Sequence, residues 1–65
     1  MTAYEIVDDF QARNMRVLVL DREYKVGNTK LTIDGKEYRY MLNSIKNWII
    51  IESTKTFKGK TAVFT

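Results

Sequence analysis

The hydrophobic and polar positions of this 65-residue chain alternate with a period of two over most of its length. That is the spacing of strands with one face buried. The clearest stretch is Thr29 to Met41, where Asp34-Gly35 sits between two alternating runs and marks a two-residue hairpin with a type I′ turn. The turn pairs Ile33 with Lys36, Leu31 with Tyr38 and Thr29 with Tyr40. Leu31, Ile33, Tyr38 and Tyr40 then share one face, and Lys30, Thr32, Glu37 and Arg39 the other. Met15 to Leu20 reads as a strand whose four consecutive aliphatic residues imply partial burial on both faces. Asn47 to Glu52, with Trp48 and three isoleucines, reads the same way, and Lys60 to Phe64 supplies a final strand. Val26-Gly27-Asn28 and Lys58-Gly59-Lys60 mark turns.

Two stretches admit a second reading. Tyr4 to Phe10 is taken as a strand, although Ile6, Val7 and Phe10 also have helical spacing and Thr2 with Glu5 matches a capping box. Two aspartates and a β-branched valine make it poor helix material. Met41 to Ile45 fits one helical turn or, preferably, a strand end running into a loop at Asn43-Ser44. The sum is five or six short strands with turn signals about every ten residues, the signature of an all-β chain. The expected fold is a small five- or six-stranded barrel, one domain over residues 1–65. The alternative is α+β, with residues 2–12 as a helix on a four-stranded sheet.

With the strands placed, the order of features resembles a known barrel. Tyr4 to Phe10, a tight turn at Ala12-Arg13-Asn14 and Arg16 to Leu20 come first, followed by Val26-Gly27-Asn28, the hairpin and Phe57-Lys58-Gly59-Lys60. This is similar to the second domain of translation elongation factor GTPases, without the GTPase domain. The resemblance implies a closed small barrel. It departs at the first turn, which carries Asn14 and neither of the family's glycines, and at Asn28, where the family has an acid. No phosphate-binding Gly-x-x-x-x-Gly-Lys-Ser/Thr loop occurs, so nucleotide hydrolysis is not implied.

Composition narrows the chemistry. Cysteine and histidine are both missing, which removes disulfides, thiolate and imidazole metal sites, and triads built on an imidazole base. Ser44 and Ser53 lie in no nucleophile-elbow motif. Asp8-Asp9 is the one adjacent carboxylate pair, and strand neighbours point to opposite faces, which prevents the two from sharing a metal or a proton. The pair reads as a solvated strand end or turn. The expectation is a protein with no catalytic residue, no metal and no cofactor. No apolar run approaches a membrane span, and the first residues lack the pattern of a signal peptide. A cytoplasmic protein of bacterial or phage origin is the simplest reading, with no membrane partner.

Charge is unevenly spread along the chain. The net charge is +3, and no acid follows Glu52, only Lys55, Lys58 and Lys60. A basic end suits an acidic partner. Lys30 and Arg39, expected opposite each other on the exposed hairpin face, would repel unless an anion relieves them. Two binding functions therefore follow. The first is a protein-interaction or regulatory module from a phage or mobile element, docking on a larger host protein. The second is a nucleic-acid-binding barrel that uses Lys30, Arg39 and the Lys55, Lys58 and Lys60 rim. Trp48 joins the candidate contact residues because either it or Ile49 must face inward, and aromatics favour interface cores. A homodimer with Trp48 or Tyr24 at its interface is a third expectation.

Overall fold

A computed structural model describes residues 2–25 and 29–65. The turn expected at Val26-Gly27-Asn28 lies outside the described residues. Hydrogen bonding defines seven strands and no helix among them: β1 (Thr2–Ala12), β2 (Met15–Leu20), β3 (Leu31–Ile33), β4 (Lys36–Tyr38), β5 (Tyr40–Leu42), β6 (Trp48–Glu52) and β7 (Thr61–Phe64). All pairings are antiparallel, and the sheet order is β4-β3-β7-β1-β2-β6-β5. The two outermost strands, β4 and β5, are separated in the chain by Arg39 alone. The segment 36–42 therefore joins the two ends of the sheet and closes it as a small barrel. The α+β alternative is overturned, because residues 2–12 form the longest strand.

One strand, β1, and the segment carrying β4 and β5 are shared between the halves of this barrel. The first part of β1, Thr2 to Glu5, pairs with β7, and the part from Ile6 onward pairs with β2. Likewise β4 pairs with β3, while β5 pairs with β6. One half is thus β4-β3-β7-β1 and the other β1-β2-β6-β5. The register of β1 slips between Ile6 and Asp8, leaving Val7 as an extra residue. Such a bulge bends a strand and shifts its alternation by one position. Tyr4 and Ile6 face the core before it; Asp9 faces inward after it, and Asp8 and Phe10 face out. This is why the alternation across Tyr4 to Phe10 is imperfect in the sequence.

The hairpin follows its expected register, with Leu31 opposite Tyr38, Thr32 opposite Glu37 and Ile33 opposite Lys36. Asp34 and Gly35 both have positive φ, 54° and 76°, as a type I′ turn requires. The ladder stops at Leu31 and Tyr38. Thr29 meets Tyr40 through the tyrosine side chain instead, the Tyr40 hydroxyl donating to the Thr29 carbonyl at 3.1 Å. At the β1–β2 turn the positive φ falls on Arg13 (60°), and not on Asn14 as the residue types suggest.

The core combines aliphatic residues from every part of the ring, including Ile6, Leu18, Leu20, Leu31, Ile33, Ile49 and Ile51, each under 2 % exposed. Aromatic rings close its ends. Tyr4 and Tyr40 meet Phe64 edge to face, with centroids 5.7 and 5.4 Å apart, and Tyr38 meets Phe57 at 5.6 Å. Edge-to-face contacts of this kind add about 0.5–1.5 kcal/mol beyond area burial.

Replacing Gly35 by Ala, at a φ that L side chains rarely adopt, should cost about 1–2 kcal/mol. Urea unfolding should show this as a lower midpoint, with Lys36→Ala beside it nearly neutral.

Candidate interaction surface

The candidate residues do not converge. Lys30 stands just before β3, where its amide and carbonyl both pair with Thr65 at 3.0 Å. Arg39 belongs to neither ladder, since it is the link between β4 and β5, so the expected cross-strand Lys30–Arg39 opposition is not formed. Lys55, Lys58 and Lys60 are exposed along the segment between β6 and β7. Lys60 is already paired, its ammonium contacting the Asp34 carboxylate at the tip of the hairpin. Lys36 lies over the Tyr38 ring, 5.5 Å from its centroid.

The segment carrying those lysines is anchored from inside. Asp9 and Arg16 form an ion pair at 3.2 Å, with side chains only 7 % and 10 % exposed. Arg16 Nε donates to the Lys55 carbonyl at 2.8 Å and its terminal nitrogen to the Thr54 carbonyl at 3.3 Å. The Phe57 amide donates to the second oxygen of Asp9. Two buried opposite charges thus satisfy each other and three backbone groups of a loop that has no ladder of its own. The expectation of a solvated Asp8-Asp9 pair holds for Asp8, which is exposed. It fails for Asp9, which the bulge at Val7 turns inward. Among the described residues, every buried side-chain nitrogen and oxygen has a partner.

Trp48 resolves the choice with its neighbour: Ile49 is fully buried, and Trp48 lies on the outside. Tyr24, the other aromatic considered for a dimer contact, is part of the core and donates to the Asn43 carbonyl at 3.4 Å. Around Trp48 the register of the β1-β2-β6-β5 half builds a continuous outer face. Its central row runs Phe10, Val17, Ile50, Met41 from one strand to the next. One neighbouring row is Asp8, Val19, Trp48, and the other is Ala12, Met15, Glu52. The Phe10 and Trp48 rings meet edge to face with centroids 5.2 Å apart. They reach across β2 and cover Val17, which points outward and is nevertheless only 5 % exposed. Phe10 and Met41 remain 39 % and 54 % exposed.

The other half of the barrel serves as an internal comparison. Its outward positions are Ala3 and Glu5 on β1, Thr61 and Val63 on β7, Thr32 on β3 and Glu37 on β4. That face is mixed and mostly polar. The apolar outer face is therefore a property of one side only. Beside its central row Met15, Arg39, Tyr40, Met41, Ile50 and Glu52 line a notch of about 230 Å3, below the usual range of about 300–1,000 Å3 for small-molecule sites. A second concavity, of about 410 Å3, lies at a barrel end between Glu23, Lys25, Leu42 and Lys46.

Removing one member of the inward pair tests its role. Asp9→Ala should cost about 3–5 kcal/mol, because it leaves a buried guanidinium uncompensated. Asp8→Ala, next to it and exposed, should stay under about 1 kcal/mol. Chemical denaturation of the two variants measures the difference.

Among the described residues no group of three or more Asp and Glu side chains is placed to hold a metal, and no helix is long and apolar enough to cross a membrane. Comparison with known protein families, curated proteins and solved structures gives no match.

Proposed function

We propose that this protein is a non-enzymatic protein-interaction module, and that its contact surface is the outer face of β1-β2-β6-β5 centred on Phe10, Val17, Ile50 and Met41. The observation that carries this reading is the asymmetry between the two halves of the barrel. Outward positions of a sheet facing water are ordinarily polar, as four of the six are on the half containing β3 and β7, where Ala3 and Val63 are the exceptions. On the opposite half Phe10, Met15, Val17, Val19, Trp48, Ile50 and Met41 fill most of them, and Asp8 and Glu52 stand at the ends of the flanking rows. A contiguous apolar patch with a polar rim is the form a protein contact surface takes. Trp48 and Arg39, at that surface, are residue types enriched among energetic anchors of interfaces. The buried polar groups, by contrast, are taken up in holding the loop before β7.

The alternative is nucleic-acid binding through Lys30, Arg39, Lys55 and Lys58. The Lys60–Asp34 pair counts against a free lysine cluster at that rim. The readings separate by salt and by variant. A nucleic-acid binder should retain random oligonucleotides at about 50 mM salt and lose most of that affinity by about 200 mM. The proposed module should show no such binding. In a comparative pull-down, a protein retained by the native chain should be lost with Met41→Glu and kept with Lys55→Ala/Lys58→Ala. Retention that depends on the lysines and ignores Met41 would overturn the proposal.

A further inference from the structure

The outer face has an internal relation that points to one occupant. Its long central row, Phe10-Val17-Ile50-Met41, divides it into two ends. At one end lies Asp8 on β1, opposite Val19 in the outward row. At the other lie Arg13 in the β1–β2 turn and, on the β6 side, Glu52 with Arg39 beside the same notch. The β1 side of the face therefore has an acid at one end and a base at the other. Neither Asp8 nor Arg13 has an ion-pair partner among the described residues.

A twofold axis lying along the central row, in the plane of contact, would stack two copies of this face on each other. The rotation exchanges the ends while keeping each strand over its own counterpart. Asp8 of one copy then falls over the Arg13 end of the other, and the contact occurs twice. The ridge formed by Phe10 and Trp48 runs from the row itself to Trp48 on its Asp8 side. The notch between Met15, Ile50 and Met41 lies on the Glu52 side. The same rotation brings Trp48 of each copy over the notched end of the other. Two sheets stacked in this way keep their strands near alignment at a spacing of about 10 Å, the ordinary sandwich arrangement.

We infer that the partner of this face is a second copy of the chain, forming an isologous dimer of barrels. The inference rests on the reading of that face as the contact surface. Four strands about 4.8 Å apart, with three outward residues on each of the inner ones, span a patch smaller than the standard interface of about 800 Å2 per partner. The dimer accordingly belongs to the weak class, with concentration-dependent assembly.

Sedimentation equilibrium on the full chain, from about 10 to about 500 µM, tests this. The mass should rise with concentration from 7.7 kDa towards twice that value. Met41→Glu should hold the mass at that of the monomer while keeping the native circular dichroism and cooperative unfolding. Asp8→Lys and Arg13→Glu should each weaken dimerisation at least tenfold, because each places like charges together at two symmetry-related points. Mixing these two variants should restore the dimer. One of the two contacts then pairs the exchanged charges with each other, and the other pairs the native Arg13 with the native Asp8. A chain that stays monomeric at the highest concentration overturns the dimer, as does a dimer indifferent to Met41→Glu or a mixture without rescue. The contact surface is judged separately. It stands if the monomeric chain still retains a protein partner through Met41, and falls if neither self-association nor retention depends on that residue.

Discussion

Closure of the sheet is the constraint on which this structure depends. A chain of 65 residues without cysteine must stabilise itself on one small core, and a domain of this size buries only roughly 60 % of the surface its unfolded chain exposes. Short strands rich in Val, Ile and aromatic residues would also leave sticky edges if the sheet stayed open. The segment 36–42 solves both problems. It pairs with β3 before Arg39 and with β6 after it, so the last two edges meet within one stretch of chain. The radius of gyration, 10.4 Å, is close to the value of about 10.7 Å expected for a compact chain of this length.

The bulge at Val7 and the Asp9–Arg16 pair follow from the same constraint. β1 is long because it serves both halves, and a strand shared between two halves has to bend. The extra residue lets it bend, and the resulting phase shift sends Asp9 into the interior. An isolated carboxylate there would be costly. Arg16 on the neighbouring strand neutralises it, and the remaining hydrogen-bonding capacity of both groups ties down residues 54–57. The exposed lysines thus sit on a segment that is fixed from within by a charge pair. Of the three, Lys55 is bonded to the pair through its own carbonyl, and Lys58 and Lys60 follow the anchored Phe57.

Much of this was legible in the chain. The hairpin register and the two-faced burial of Met15 to Leu20 were readable because period-two alternation and Asp34-Gly35 act locally. The strand identity of residues 2–12 was readable with a helix as competitor. The closure at Arg39 was not, since nothing in Tyr38-Arg39-Tyr40 marks a change of partner; the alternation simply continues through it. The bulge left only a trace, the imperfect alternation from Tyr4 to Phe10. Without it Asp9 reads as solvent-facing beside Asp8, and that assignment inverts. Charge is visible in sequence and singles out Lys30, Arg39, Lys55, Lys58 and Lys60, and residue type singles out Trp48. The outer apolar face went unassembled because its row draws one residue from each of four strands, Phe10, Val17, Ile50 and Met41. Only the register brings these together.

That row also bears on what the barrel requires of its sequence. A closed sheet needs one apolar face, and the inward set of Leu18, Leu20, Ile49 and Ile51 meets that need on β2 and β6. Val17, Val19, Trp48 and Ile50 on the other side of the same two strands add nothing to the interior. Strand propensity alone offers a partial reason, since β-branched residues favour strands. It does not account for Phe10 and Met41 at the flanks, where a polar residue would form the strand as well and keep the surface wetter. Nor does it account for the mostly polar outer face of β3 and β7, where Thr32 and Thr61 stand beside Val63. A second apolar face confined to one half of a barrel makes physical sense when something else covers it. Asp8 and Arg13, an acid and a base at the two ends of its β1 side, are what a covering copy of the same face in reversed order would find complementary.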